Sequence, residues 1–163
     1  MTASPLTAEQ AGFLGGPVSI TVSSRDARRV PSVMKAVGCR VSADRREVTL
    51  LLEAEGARQL LNDIAATRQV AAVFSLPSTH RTLQIKGSDA RTGALQPTDS
   101  ALIEQHAQAF AADIIPLGYA REFALALHGV APSAQCVAVT FTVEAVYAQT
   151  PGPGAGARIG GTS

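Results

Sequence analysis

Residues 69–87 read QVAAVFSLPSTHRTLQIKG, two apolar runs flanking a polar connection of Pro77, Ser78, Thr79, His80 and Arg81. From Val70 to Leu76 every position but Ser75 is apolar, the pattern of a strand buried on both faces. From Thr82 to Lys86 the pattern alternates, with Leu83 and Ile85 on one face and Thr82, Gln84 and Lys86 on the other. A strand with one apolar and one hydrogen-bonding face closes a barrel with the first and offers the second to a polar ligand. This stretch is the best candidate site in the sequence.

Before it, Thr7-Ala8-Glu9-Gln10 is a capping-box pattern and Gly15-Gly16-Pro17 a stop, so Thr7 to Leu14 is expected to form a short helix lying on the barrel as a flap. Val18, Ile20 and Val22 alternate with Ser19, Thr21 and Ser23, which predicts a half-buried strand. Arg25, Arg28 and Arg29 follow in what reads first as a solvated turn before Pro31. Met34 to Ser42 and Glu47 to Glu53 predict a hairpin joined at residues 43–46 and carrying Lys35 and Arg40. Ala57, Leu60, Leu61, Ile64 and Ala65 have helical spacing, so residues 55–67 should pack as an amphipathic helix.

Beyond it, residues 88–97 are open between loop and strand. Thr98 or Ser100 caps a helix whose inner face is Ile103, Ala107, Phe110 and Ile114, ended by Pro116 and Gly118. His106 beside that face is expected to be a packing or surface residue, and residues 121–128 suit strand or helix equally. Cys136 to Tyr147 reads as one strand, and the Pro- and Gly-rich tail after it reads by composition as a flexible end.

A chain of 163 residues with 46% apolar and 17% charged content supports one domain with a real core. A net charge of +1 and 4% aromatic residues without Trp argue against nucleic acid as a partner. No apolar run has membrane-spanning length and no basic leader precedes Glu9, so the expectation is a cytoplasmic protein without membrane contact. Cys39 and Cys136 make neither a disulfide framework nor a zinc site, and both are expected reduced and buried. Six or so strands with two or three helices and no regular strand-helix alternation indicate a mainly β, α+β fold: an antiparallel barrel with appended helices.

GxGxxG, Walker, HExxH, CxxC and GxSxG signatures are all absent, and no catalytic acid or base is nominated. What remains is a set of basic and hydrogen-bonding side chains at strand ends, Lys35, Arg40, Ser78, Thr79, Arg81 and Gln84, a chemistry suited to a phosphate and a heteroatom-rich ring.

The order short helix, strand, P-x-x-x-x-x-x-G-x-x-V hairpin from Pro31, helix, VAAVFSLP and R-x-L-Q-I-K-G resembles the flavin-binding split barrels related to pyridoxamine 5'-phosphate oxidase. The ending VTFTVEAVYAQTPGPGAG is similar to a subgroup of predicted flavin-nucleotide-binding members. The resemblance implies a homodimer that holds flavin mononucleotide (FMN) between its chains, and a flavin-dependent oxidoreductase of unknown substrate; the alternative is a non-catalytic flavin or small-ligand module. In the oxidase the cofactor is held by an Arg and a Lys on the hairpin, an Arg-Lys pair opening the next helix, and an Arg-Gln pair before a Gly.

Lys35 and Arg40 match the hairpin pair with the charges exchanged, and Arg81 matches the Arg before Gly87. Thr82 takes the Gln position, with Gln84 two residues on and on the same face. At the helix start Glu55-Gly56 replaces the Arg-Lys pair, which removes two cationic contacts; Arg28, Arg29 and Arg58 are the candidates to compensate. The resemblance further implies that the tail packs back on the barrel through Gly156 near the dimer interface, leaving residues 1–6 and 158–163 as loose ends of a single domain.

Overall fold

Residues 69–87 fold as the hairpin their pattern predicts, with Val70 opposite Gly87 and Ser75 opposite Thr82. The computed structural model describes residues 6–129 and 133–161. In chain order the elements are α1 (Ala8–Leu14), β1 (Ser19–Arg25), β2 (Pro31–Ala36), β3 (Gly38–Val41), β4 (Glu47–Glu53), α2 (Arg58–Thr67), β5 (Val70–Ser75), β6 (Thr82–Gly87) and β7 (Arg91–Gly93). They continue with α3 (Asp99–Ile114), α4 (Arg121–His128), β8 (Cys136–Thr142), β9 (Ala145–Ala148) and β10 (Arg158–Gly161).

All the strand pairs are antiparallel. One sheet has the order β10-β9-β6-β5-β1-β2 and the other β3-β4-β8-β7. The sheets are joined by strands that pass from one to the other. β2 leaves the first sheet at Ala36 and continues as β3 in the second, and β8 leaves the second at Thr142 and continues as β9 in the first. Counting each bent strand once closes the ring β1, β2–β3, β4, β8–β9, β6, β5 and back to β1. The fold is the antiparallel split barrel that the sequence indicates.

The two bends correct the reading of residues 34–42 and 136–147 as single straight strands. At each, the inward phase slips by one residue: Met34 and Ala36 give way to Cys39 and Val41, and Phe141 and Val143 give way to Val146. A regular strand would have carried Ala145 and Tyr147 inward; the slip that lets the wall turn puts them on the outside.

Inside the ring, Ile20, Val22, Leu50, Ala72, Phe74, Ile85 and Phe141 fill one core, joined by Leu6 and Leu14 flanking α1 and by Leu60 and Ile64 from α2. Thr7 caps α1 with the reciprocal Gln10 bonds that the capping box predicts. α3 covers the outside of the four-stranded sheet, where Ile103 packs on Val37, Leu51 and Ala138. Gly38 permits this approach, because a Cβ there would lie 2.9 Å from Leu102 Cδ2. The inner face read for this helix is buried as expected, although Thr98 at its N-cap makes no side-chain cap.

Four α-helices are described where two or three were expected. The undecided segment 121–128 is α4: Ala124 and His128, four residues apart, form its buried stripe, and Ala124 packs on Phe110, Ala111 and Ile114 of α3. Within 88–97 only Arg91–Gly93 is strand, paired with β8. The ends are better fixed than composition suggests. Leu6 is buried and its amide donates to the Arg45 carbonyl, and Gly160 and Gly161 pair with Val146 and Ala145, so neither Leu6 nor residues 158–161 are loose. Residues 1–5 and 162–163 lie outside the described residues.

Cys39 is buried, its thiol pushed up to about 12 by that burial, whereas Cys136 is only half-buried, against expectation; neither forms a disulfide. Among the described residues no helix is long and apolar enough to cross a membrane.

Candidate functional site

The barrel wall has two outer faces, and α3 covers only one. On the other, the outward residues of the six-stranded sheet line up in rungs. One rung runs Lys35, Thr21, Val73, Gln84, Tyr147, Arg158 across six strands. The next runs Val33, Ser23, Ala71, Lys86, Ala145. Successive rungs lie two residues, roughly 7 Å, apart along the strands. Small central side chains and polar flanks make this a shallow floor, half-exposed at Thr21, Ser23, Ala71, Val73, Gln84 and Tyr147.

At one end of this floor is a cleft of about 750 Å³ lined by Ser23, Ser24, Arg25, Arg29, Lys86, Glu144, Tyr147 and Arg158, with Ala71 and Gly87 among its apolar surfaces. That volume lies within the roughly 300–1,000 Å³ of small-molecule sites. The serine hydroxyls do not serve as donors to it. Ser23 Oγ donates to the Ala71 carbonyl at 3.3 Å and Ser24 Oγ to the Gln69 carbonyl at 2.8 Å. The cleft is lined by three guanidinium groups, the Lys86 ammonium and Tyr147, with Lys86 Nζ 4.9 Å from the centre of the Tyr147 ring. Arg25 Nη1 donates to the Asp26 carbonyl, and Arg158 donates from Nε to the Gly160 carbonyl and from Nη2 to the Glu144 carbonyl, each at 3.3 Å.

Arg29 reaches the cleft from the turn between β1 and β2 with φ of 68°, a left-handed conformation that costs a non-glycine residue about 1 kcal/mol. Asp26 holds the turn: its carbonyl accepts the Arg29 amide at 3.1 Å and its carboxylate the Val30 amide at 2.8 Å. The backbone bond to Val30 heads the contacts that keep the Asp26 carboxyl below its ordinary range. The one carboxylate in the cleft, Glu144, accepts from both the amide and the hydroxyl of Ser88.

The residues nominated from the sequence are spread over several places. Lys35, Thr82 and Gln84 share the floor. Lys35 Nζ donates to the Leu127 carbonyl at 2.9 Å beneath α4, and burial lowers its pKa. Thr82 is bonded to Ser75 and Gln84 accepts from Gln149 at 3.4 Å. Ser78 donates by amide and hydroxyl to Asp113 of α3, while Thr79 Oγ1 accepts the Arg81 amide. Arg81 pairs with Glu9 at 2.7 Å and lies 4.6 Å over the Phe13 ring. Arg40 is elsewhere altogether, its Nε 3.0 Å from the fully buried Asp99 carboxylate beside α3.

Lys35 also borders a smaller cavity of about 420 Å³ at the opposite end of the floor, closed by Phe110, Ile114 and Leu127. Behind it, His106 Nδ1 lies 2.6 Å from His128 Nε2. Burial first, then the neighbouring imidazole, holds His106 down at about 4; burial also lowers His128. Among the described residues His106 Nε2 has no hydrogen-bond partner of proper geometry. The pair is a packing element, as expected for His106.

At the start of α2, the Glu53 carboxylate closes on the backbone: Oε1 accepts the Glu55 amide at 2.9 Å and Oε2 the Gly56 amide at 2.6 Å. A Cβ on Gly56 would meet Glu53 Oε2 and Met34 Cε, each at 2.8 Å. No phosphate fits against these amides while Glu53 occupies them. A phosphate does suit the donors of the cleft.

Sequence reasoning read Arg25 as part of a solvated turn and named Arg29 only as one of three candidates to compensate for the missing pair, since a turn rich in arginine says nothing of what it overhangs. Lys86 was legible, one step beyond Gln84 on the same alternating face. Arg158 was not, because its place depends on the β9–β10 pairing.

No family model matches the chain, and no curated protein matches it. Solved structures do resemble it. HupZ from Group A Streptococcus superimposes with a TM-score of 0.56 at 16% identity, over 93% of this chain and 98% of its own. A pyridoxamine 5'-phosphate oxidase-related, FMN-binding protein from Nostoc punctiforme gives 0.51 at 11% identity, over 88% and 82%. At such identities the likeness is one of fold.

Proposed function

Because the chain has the split-barrel fold of the pyridoxamine 5'-phosphate oxidase-related proteins, we propose that it binds FMN on the open face of its six-stranded sheet, as a homodimer, and acts as a flavin-dependent oxidoreductase. The observation that carries this reading is the cationic, nucleotide-sized cleft opening onto a floor of small and polar side chains. Such a surface suits a flat heteroatom-rich ring with a phosphate attached. Lys35, Thr82 and Gln84 belong to this surface from the residues nominated by resemblance, with Ser78, Thr79 and Arg81 on the connection between β5 and β6; Arg40 is assigned to holding Asp99.

Bound flavin would supply hydride or electron transfer, and the chain would supply position, hydrogen bonds and exclusion of water. A second copy is supported by exposed apolar side chains at both edges of the open face, Val33 at 62% and Ile159 at 48%.

A second reading, a non-catalytic flavin carrier, is favoured by one observation: among the described residues the one carboxylate lining the cleft, Glu144, is engaged by Ser88, so no free carboxylate faces the ligand. Fold alone does not decide between them. The test is the visible spectrum of purified protein titrated with FMN, followed by anaerobic mixing with reduced nicotinamide. Flavin absorbance with reduction supports the oxidoreductase; bound flavin without reduction by any donor supports the carrier. Absence of flavin binding at micromolar concentration in the dimer overturns both.

A further inference from the structure

We infer that this chain has moved its phosphate seat: the helix-start position used by the oxidase is filled by its own Glu53, and the ligand's phosphate is held instead by Arg25, Arg29, Lys86 and Arg158 in the cleft. The inference rests on the flavin reading above. The first half follows from hydrogen-bond accounting. The Glu55 and Gly56 amides, at the positions where the resemblance places the Arg-Lys pair, both donate to the Glu53 carboxylate. Glu53 thus occupies both amides of the turn that leads into α2, and a phosphate there would meet a like charge. A side chain at Gly56 would also have to displace Glu53 Oε2 and Met34 Cε, each 2.8 Å from its Cβ, and so would break the bonds Glu53 makes to this turn.

The second half follows from charge and from backbone strain. Four cations and one carboxylate line the cleft, a surplus of three positive charges from four minus one, in a chain whose net charge is only +1. A phosphate monoester carries about −1.5 to −2 and pairs best with guanidinium forks. Arg29 is brought to the cleft by a left-handed backbone that Asp26 secures, and such strain collects where a side chain must be placed for a ligand. Lys86 and Tyr147 link the cleft to the rung of Gln84, one rung apart, so one ligand can span both.

The experiment compares FMN with riboflavin, which lacks the phosphate, by quenching of flavin fluorescence in the full-length dimer. The unaltered protein is expected to bind FMN at least about tenfold more tightly than riboflavin. Lys86→Gln and Arg25→Gln, both on the sheet surface, should each weaken FMN about tenfold and leave riboflavin unchanged. Arg28→Gln removes the same charge from the same turn outside the cleft and should change neither; melting curves confirm that each variant is folded. Glu53→Ala should leave FMN affinity within about twofold, since charge at the helix start is not where the phosphate lies.

If Glu53→Ala instead raises FMN affinity tenfold while Lys86→Gln is silent, the seat is at the helix start and the inference is wrong. Equal binding of FMN and riboflavin also overturns it while leaving the flavin reading intact. Failure of both flavins to bind removes the reading and the inference together.

Discussion

Replacing Arg40 by Met keeps the aliphatic stem and deletes the guanidinium that faces Asp99. Asp99 is 0% exposed; without Arg40 its carboxylate keeps one strong contact, the Gln96 amide at 2.8 Å. Breaking one side of a buried pair costs about 3–5 kcal/mol, because the remaining charge is left uncompensated. Arg40 itself is 27% exposed, so water can enter the vacated space and the lower end, about 3 kcal/mol, applies. For a chain of 163 residues this corresponds to a fall in Tm of about 6–12 °C. Urea unfolding should show the lower midpoint with an unchanged slope, and Asp99→Asn in the same chain should recover much of the loss. FMN affinity should not change. A stability loss under about 1 kcal/mol, or weakened FMN binding at full stability, would refute the assignment of Arg40 to the fold and return it to the site.

The His106–His128 pair makes stability depend on acid. His106 titrates at about 4 when folded against 6.5 otherwise, so the unfolded chain binds more protons between those values and stability falls as pH drops from 6.5 toward 4. The loss is on the order of 3 kcal/mol from His106, absent above pH 6.5, and urea midpoints at pH 5 and pH 7 should show it shrink in the double variant His106→Leu, His128→Leu. Gly87→Ala places a Cβ 2.6 Å from both the Thr142 carbonyl oxygen and Phe141 Cδ2, and calorimetry should register a destabilisation of about 2–3 kcal/mol. Ending the chain after Gly156 removes β10 and with it Arg158, so both Tm and FMN affinity should fall; ending it after Gly161 should alter neither.

What was legible in the sequence is what local periodicity encodes. The alternation of residues 18–23 and 82–86, the capping box at Thr7 and the helical spacing of Ala57, Leu60 and Ile64 each survive in the structure because a single neighbouring surface decides them, whereas Ala65, read onto that face, is exposed and Asp63 is buried. The one-residue phase slips at Val37 and Val143 were not legible, since they arise from closing the wall and leave the local pattern apolar on either side. The same limit governed the site. Arg40 has the right charge beside the right strand, yet its partner Asp99 lies 59 residues away and nothing near Arg40 announces it. Glu55-Gly56 could be seen to lack cations, but that Glu53 folds back over their amides required the turn itself. Residues 121–128 were ambiguous because the alternation of Phe123, Leu125 and Leu127 suits a strand while the Ala and Leu content suits a helix, until α3 supplies the face that α4 packs on.

The strands that turn from one sheet into the other also decide how the molecule can come apart. At the second bend, the Thr142 amide donates to Asp89, the Val143 amide to the Arg46 carbonyl and the Glu144 amide to the Lys86 carbonyl, so three consecutive residues are bonded to two separate segments, the turn before β4 and the end of β6 with the turn after it. Neither sheet can peel away without breaking this knot, because the same backbone belongs to both. Amide hydrogens at 142–144 should therefore exchange with deuterium only through global opening, at the slowest rates in the protein, while those of α4 exchange through local fluctuations. The floor that carries the proposed ligand is bounded along β9 by this slowest-opening segment and at its other end by α4. Local opening beside the floor is accordingly expected at α4 before it is expected at this bend.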